Sequence, residues 1–187
     1  MSDVQRLVSS LGELPEPVVN PVFIVVSGLP GTGKSYLSCK LAERLPFVVM
    51  ESDALRKALF PETTYSPEES SRLFRACYYL IERLLKLGVP VIMDATNLSE
   101  QYRERLYNIA DRQEVRLIMV RVEAPPEVVR ERLKARISNS DGNSDADWEV
   151  YERMKPMVQK IRRNHYAVDT SRDITPALDK IAREAKR

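Results

Sequence analysis

Histidine is nearly missing from this chain: His165 is the only one among 187 residues. A single imidazole excludes a histidine metal pair and leaves no set of partners for a serine nucleophile, so His165 reads as structural. Cysteine is equally scarce. Cys39 and Cys77 stand far apart without metal-type spacing. Neither a zinc site nor a disulfide framework is expected, and both read as reduced thiols inside helices. No apolar run approaches the roughly 18 residues of a membrane span. The start, Met1-Ser-Asp-Val-Gln-Arg, lacks the charged-then-apolar pattern of a signal peptide, so the expected location is the cytoplasm. An excess of one charge is missing too, with 29 Lys and Arg against 27 Asp and Glu, a net +2. Residues 1–100 hold 10 basic and 12 acidic side chains, and 101–187 hold 19 and 15. That tilt allows an anionic ligand on the C-terminal half without demanding nucleic acid.

What is present reads as one globular α/β domain. Hydrophobic residues make up 43% of the chain and charged ones 30%, enough for a sizeable core with no metal or disulfide staple. Residues 1–21 read as an N-terminal extension: a short helix over 4–11, stopped by Gly12, then an extended lead-in set by Pro15, Pro17 and Pro21. From Val22 onward, short apolar runs alternate with helical patterns. Strands are expected at 22–26, 47–50, 89–93, 115–122 and 166–169. Helices are expected at 34–45, 53–59, 67–87, 99–113 and 126–137, with others beginning near Asp147 and Thr175. Ser66-Pro67-Glu68-Glu69 is a strong helix start, with a capping serine, proline in the first turn and two acids against the helix dipole. Pro156 either kinks or divides the helix after Asp147. Residues 138–145, SNSDGNSD, read as a turn-rich loop. This order predicts a five-stranded parallel sheet covered on both faces, a three-layer α/β/α fold for residues 22–187, with a helical lid at about 124–150.

The most specific motif is Gly28-Leu-Pro-Gly31-Thr-Gly33-Lys34-Ser35, G-x-x-x-x-G-K-S between an expected strand and helix. Glycines let the backbone wrap so that N–H groups converge on a phosphate, and the next helix adds its positive end. The expected nucleotide contacts are Gly28, Leu29, Pro30, Gly31, Thr32, Gly33, Lys34, Ser35 and Tyr36. Lys34 reaches the outer phosphates of ATP, and Ser35 is a ligand for Mg²⁺. No Asn-Lys-x-Asp guanine signature occurs, and Asp94 is followed by Ala95 instead of a glutamate that would activate water.

Other charged positions fit phosphoryl transfer. Asp53 ends the second strand, where ligands bind in open α/β sheets, and supplies the carboxylate that an attacking hydroxyl requires. Arg56, one helical turn on, suits an anionic group of the acceptor, or forms only an intrahelical pair. Val91-Ile-Met-Asp94 is an apolar strand ending in an acid, a second Mg²⁺ ligand. Asn97 orients the following loop or touches the acceptor. Arg132 and Arg136 share a helix face with Arg130 and Lys134 nearby, placing two cations to neutralise charge on the transferring group. Thr170 lies in the turn after the fifth strand, where backbone contacts to the base are expected. Trp148, Tyr151 and Met154 recur at helical spacing and read as packing.

Taken in order, GLPGTGKS, SDALR, DATN and RERLKAR with SDADWEVYERM resemble the P-loop kinase branch of polynucleotide 5′-hydroxyl kinases and zeta-toxin-like kinases, over residues 22–172. The resemblance implies an adenylate-kinase-like core and transfer of the γ-phosphate of ATP, with Mg²⁺, to a hydroxyl. It also implies Asp53 as general base, Arg56 on an acceptor phosphate, and Arg132 and Arg136 as lid arginines gripping ATP. The favoured acceptor is a polynucleotide 5′-hydroxyl end. The alternatives are a small-molecule kinase acting on a sugar, an antibiotic or a nucleotide sugar, and a nucleotide-gated binding module with little turnover. No membrane and no obligate protein partner is expected.

Overall fold

The computed structural model describes residues 1–139 and 145–187, with 137–139 by their backbone only. Ser2 opens the first helix, α1 (Asp3–Ser10), through a capping box with Gln5. Its Leu7 is fully buried and joins the main core, so the N-terminal stretch is packed into the domain. Strand β1 (Val22–Ser27) is buried at every residue. Helix α2 (Lys34–Ala42), strand β2 (Val48–Glu51) and helices α3 (Ser52–Leu59) and α4 (Pro67–Lys86) follow. Then come β3 (Val91–Asp94), α5 (Glu100–Arg112), β4 (Arg116–Glu123) and α6 (Pro126–Asn139). Helix α7 (Trp148–Met154), a 3₁₀ turn (Lys155–Met157), β5 (Tyr166–Asp169) and α8 (Thr175–Ala185) complete the chain.

All five strands are parallel, in the order β2-β3-β1-β4-β5. The two-residue period of β1 splits the interior. Phe23 and Val25 face a core made with α1, α3, α4 and α5, while Val22, Ile24 and Val26 face a second core under α2 and α8. This is the three-layer arrangement that continuous apolar strands require. The chain leaves β1 toward β3 and β2 on one side, then crosses to β4 and β5 on the other. The loops therefore diverge beside the carboxyl end of β1, the crevice where ligands enter such sheets. A third small cluster, Val129, Leu133 and Tyr151 with Leu29 and Trp148, joins α6 and α7 to the loop after β1.

Several boundaries move from the expected ones. Strand β3 starts at Val91 instead of 89, because Pro90 has no N–H and gives only its carbonyl to Val48 (3.0 Å). Strand β2 starts one residue later and runs on to Glu51. Helix α2 stops at Ala42, three residues early. Pro156 divides the helix after Asp147 by ending α7 and starting the 3₁₀ turn. Helix α6 runs to Asn139, into the expected loop, and residues 140–144 of that loop lie outside the described residues. Among the described residues no helix is long and apolar enough to cross a membrane.

Candidate active site

The loop between β1 and α2 is anchored from below. Gly28 N–H donates to the Thr96 carbonyl (3.0 Å), and the Ser27 hydroxyl donates to the carbonyls of Thr96 and Asn97 (3.1 Å each). Gly33 caps α2 at φ +94°, a left-handed conformation that suits glycine, and no side chain caps that helix end. The first N–H groups of α2 are thus left for an anion. A Cβ at Gly33 would also lie 2.9 Å from the Thr170 hydroxyl. Lys34 curls over the loop and donates to the Leu29 carbonyl at 3.0 Å. Burial pushes its pKa down, while the Asp94 and Asp53 carboxylates pull it back up and Arg136 adds to the lowering.

Above this loop opens a cavity of about 1380 Å³ at the carboxyl ends of the strands. It gathers most of the residues expected from sequence: Pro30, Gly31, Gly33, Lys34, Ser35 and Tyr36 from the loop, Asp53, Arg56, Asp94 and Asn97, and Arg132, Arg136 and Thr170. Gly28, Leu29 and Thr32 do not line it. Gly28 is glycine because a Cβ would strike the Val122 carbonyl. Leu29 packs with the α6–α7 cluster, and Thr32 turns its hydroxyl to the Leu29 carbonyl (2.8 Å).

On the phosphate side, one acid was not anticipated. Glu51 pairs in register with Asp94 across β2 and β3, and its carboxylate accepts from the Ser35 hydroxyl at 3.1 Å. Its signal was available: an acid closing the second strand just as Asp94 closes the third. Asp94 is 2% exposed and its Oδ2 has no hydrogen-bond partner. Burial pushes its pKa up, against the pull of Lys34. A buried carboxylate oxygen without a partner, beside a hydroxyl and a second carboxylate, suits a hard cation such as Mg²⁺ that draws its other ligands from phosphate and water. Arg132 is held by Thr170, donating to its hydroxyl (2.7 Å) and its carbonyl (2.8 Å), while the Thr170 hydroxyl donates to the Thr32 carbonyl (2.5 Å). Thr170 thereby joins α6, β5 and the phosphate loop. Arg136, one turn beyond Arg132, lines the cavity close enough to repel Lys34. Arg130 points elsewhere, over the Trp148 ring (5.4 Å).

On the other side, Asp53 stands half-buried in the first turn of α3. Arg56 lines the cavity, and its ion pair is made with another helix instead of within its own. It is 6% exposed and donates to Glu69 Oε1 of α4 at 2.5 Å and to the Ser70 hydroxyl at 3.3 Å, with its guanidinium 4.7 Å over the Tyr65 ring. Burial would raise the Glu69 pKa, but donors from Thr64 and Arg56 hold it at about 2. Asn97 spends its side-chain amide on the Val26 carbonyl (2.8 Å) and sits at φ +45°. Burial, then a hydrogen bond from its hydroxyl to Asp145 (2.8 Å), takes the Tyr65 pKa to about 12. The remaining wall comes from Phe74, Tyr102, Arg153, Met154 and Met157. Phe74 and Tyr102 stack at 6.0 Å. Phe74, Tyr102 and Met157 carry no motif, while Arg153 and Met154 close the SDADWEVYERM segment, and Met154, read as packing, faces the cavity instead.

The family described as AAA domain matches residues 23–161. The chain is 34% identical over 121 residues to adenylyl-sulfate kinase of Synechococcus sp. (strain JA-3-3Ab), covering 59% of this chain and 64% of that protein. It is 31% identical over 116 residues to L-seryl-tRNA(Sec) kinase of Methanococcus maripaludis, covering 59% and 44%. It thus spans less than two thirds of the length of these relatives. The solved APS kinase of Mycobacterium tuberculosis, in complex with AMPPNP and APS, shares the fold with a TM-score of 0.67 at 16% identity, covering 92% of this chain and all of that one. With the phosphate loop, the parallel sheet and three quarters of its length in agreement, the chain belongs to the AAA domain family and has the three-layer fold of P-loop kinases.

Proposed function

We propose that this chain is an ATP-dependent kinase that moves the γ-phosphoryl group to a hydroxyl held beside Asp53. The observation carrying the reading is convergence: Lys34, Asp53, Asp94 and Arg136 share one cavity at the carboxyl edge of the sheet. The loop amides and Lys34 cradle the phosphate chain. Asp53 accepts the hydroxyl proton as the acceptor oxygen bonds to the γ-phosphorus, and the bond from that phosphorus to the β–γ bridging oxygen breaks to release ADP. Arg136 and Lys34 offset the charge on the transferring group. Arg132, fixed by Thr170, lines the same cavity and grips ATP from the lid side. Ser35 and Asp94, with Glu51 alongside, would hold Mg²⁺, which would supply positive charge to screen the phosphates.

The acceptor side suits a small hydroxyl compound. Arg56, expected to hold a phosphate next to a 5′-hydroxyl, has its charge met inside the protein by Glu69. The matched relatives include one named for adenylyl sulfate. A polynucleotide 5′-hydroxyl end is the second reading, favoured by Tyr102, 46% exposed at the cavity wall, and by Arg153, which lines the same cavity. A screen with γ-labelled ATP separates them, offering adenylyl sulfate, gluconate, seryl-tRNA, a 5′-hydroxyl oligonucleotide and no acceptor. Label on a small compound supports the first reading, and label on the oligonucleotide supports the second. Asp53→Asn is expected to slow transfer by about 10²–10⁴-fold with Mg-nucleotide affinity intact. Nucleotide binding with no acceptor ever labelled would instead leave a binding module.

A further inference from the structure

Arg103 is fully buried, yet it lies outside the cavity and carries no motif. All five of its N–H donors are engaged. Nε donates to Glu100 Oε2 (2.9 Å), Nη1 to the carbonyls of Asn97 (2.8 Å) and Leu98 (2.7 Å), and Nη2 to those of Gln159 (2.9 Å) and Lys160 (3.0 Å). A guanidinium is a rigid planar fork, so these bonds fix the turn after β3 against the segment after the 3₁₀ turn. Gln159 repeats the link, its N–H donating to the Leu98 carbonyl (3.0 Å) and its side chain accepting from Glu100 N–H (2.7 Å).

The two segments border different stretches of the cavity, Thr96 and Asn97 in the turn after β3 and Met157 at the start of the other segment. The Asn97 carbonyl that Arg103 grips also accepts the Ser27 hydroxyl, and the neighbouring Thr96 carbonyl holds Gly28 N–H at the root of the phosphate loop. At the other end, residues 157–160 continue from Met154 and Met157 of the acceptor wall. Arg103 gives two donors to each of these stretches of backbone.

We infer that Arg103 is a positioning residue that ties the acceptor wall to the root of the phosphate loop, so that nucleotide occupancy orders residues 157–161. This rests on the proposed nucleotide site, and the test separates the two. Hydrogen exchange is followed by mass spectrometry for wild type, Arg103→Gln and Arg103→Lys, each with and without AMPPNP and Mg²⁺. In wild type, nucleotide is expected to slow exchange in both 28–35 and 157–161, the latter about tenfold, as for coupled sites generally. Arg103→Gln is expected to keep the response at 28–35 and lose it at 157–161. Arg103→Lys keeps the charge without the fork and is expected to retain only part of it. If Arg103→Gln does not fold, Arg103→Lys decides alone, and a full wild-type response there overturns the inference. So does equal slowing at 157–161 in wild type and Arg103→Gln. No slowing at 28–35 in wild type would instead sink the nucleotide site itself. With any acceptor that wild type phosphorylates, Arg103→Lys is further expected to raise acceptor KM while leaving ATP KM unchanged. A purely structural role would lower the active fraction and move neither.

Discussion

Lys34 shows how the residue scale works here. Burial disfavours its charge and pushes its pKa down, and the Asp94 and Asp53 carboxylates offset part of that push. Its hydrogen bond to the Leu29 carbonyl holds the ammonium over the loop, where a phosphate oxygen would replace that carbonyl. Replacing Lys34 with Met keeps the stem and removes the charge. Single-turnover transfer is expected to fall about 10²–10³-fold, with nucleotide affinity weakened in calorimetry and the circular dichroism spectrum unchanged. The roles proposed for the two carboxylates follow their environments. Asp94 is buried with an oxygen unpaired, whereas Asp53 is half-buried at a helix start where a hydroxyl can reach it.

Between elements, two joints hold the cavity in shape. Arg56 of α3 and Glu69 of α4 form an ion pair 7% and 6% exposed, which also fastens Thr64 and Tyr65 of the intervening loop. Truncating one member strands the other charge, so Glu69→Ala is expected to cost about 3–5 kcal/mol in urea unfolding. The folded pKa of Glu69, about 2, lies below its ordinary 4.5. Its stabilisation is therefore fully present above pH 4.5 and is lost as pH falls toward 2, and acid unfolding of wild type should show this window while Glu69→Ala does not. The second joint is Thr170. Thr170→Val preserves shape but removes the hydroxyl bonds to Arg132 and Thr32, at about 1 kcal/mol each. Nucleotide affinity is expected to drop by about 5–30-fold, and the thermal midpoint to fall by about 4–8 °C, because both bonds also hold the fold.

Across the whole molecule, the near balance of charge matters more than any patch. A net charge of +2 gives little long-range attraction for a polyanion. Oligonucleotide affinity is accordingly expected to change by less than about tenfold between 50 and 200 mM salt, against about 10³–10⁵-fold for proteins with 6–10 phosphate contacts. Fluorescence anisotropy at the two salt concentrations checks this, and a steep slope would favour the polynucleotide end as acceptor. The Arg103 clamp belongs to this scale as well, since it joins backbone segments 56 and 57 residues away in sequence.

Alternating apolar runs and turn residues made the layers legible, because strand and helix periods are written within a few neighbouring residues. The phosphate loop was legible for the same reason: its glycines, lysine and serine are contiguous, and their chemistry needs only a strand before and a helix after. Sequence order alone thus determined the sheet, its coverage and the phosphate-gripping end of the site. Tertiary structure decided what Arg56, Asn97 and Arg103 do, since Glu69, the Val26 carbonyl and the Gln159 and Lys160 carbonyls reach them only when separate elements pack. It also decided the acceptor wall, where Phe74, Tyr102 and Met157 meet from three distant stretches of chain. Local pattern encodes the backbone's own hydrogen bonds and buried faces, but a side chain's partner across the fold depends on where whole elements come to rest.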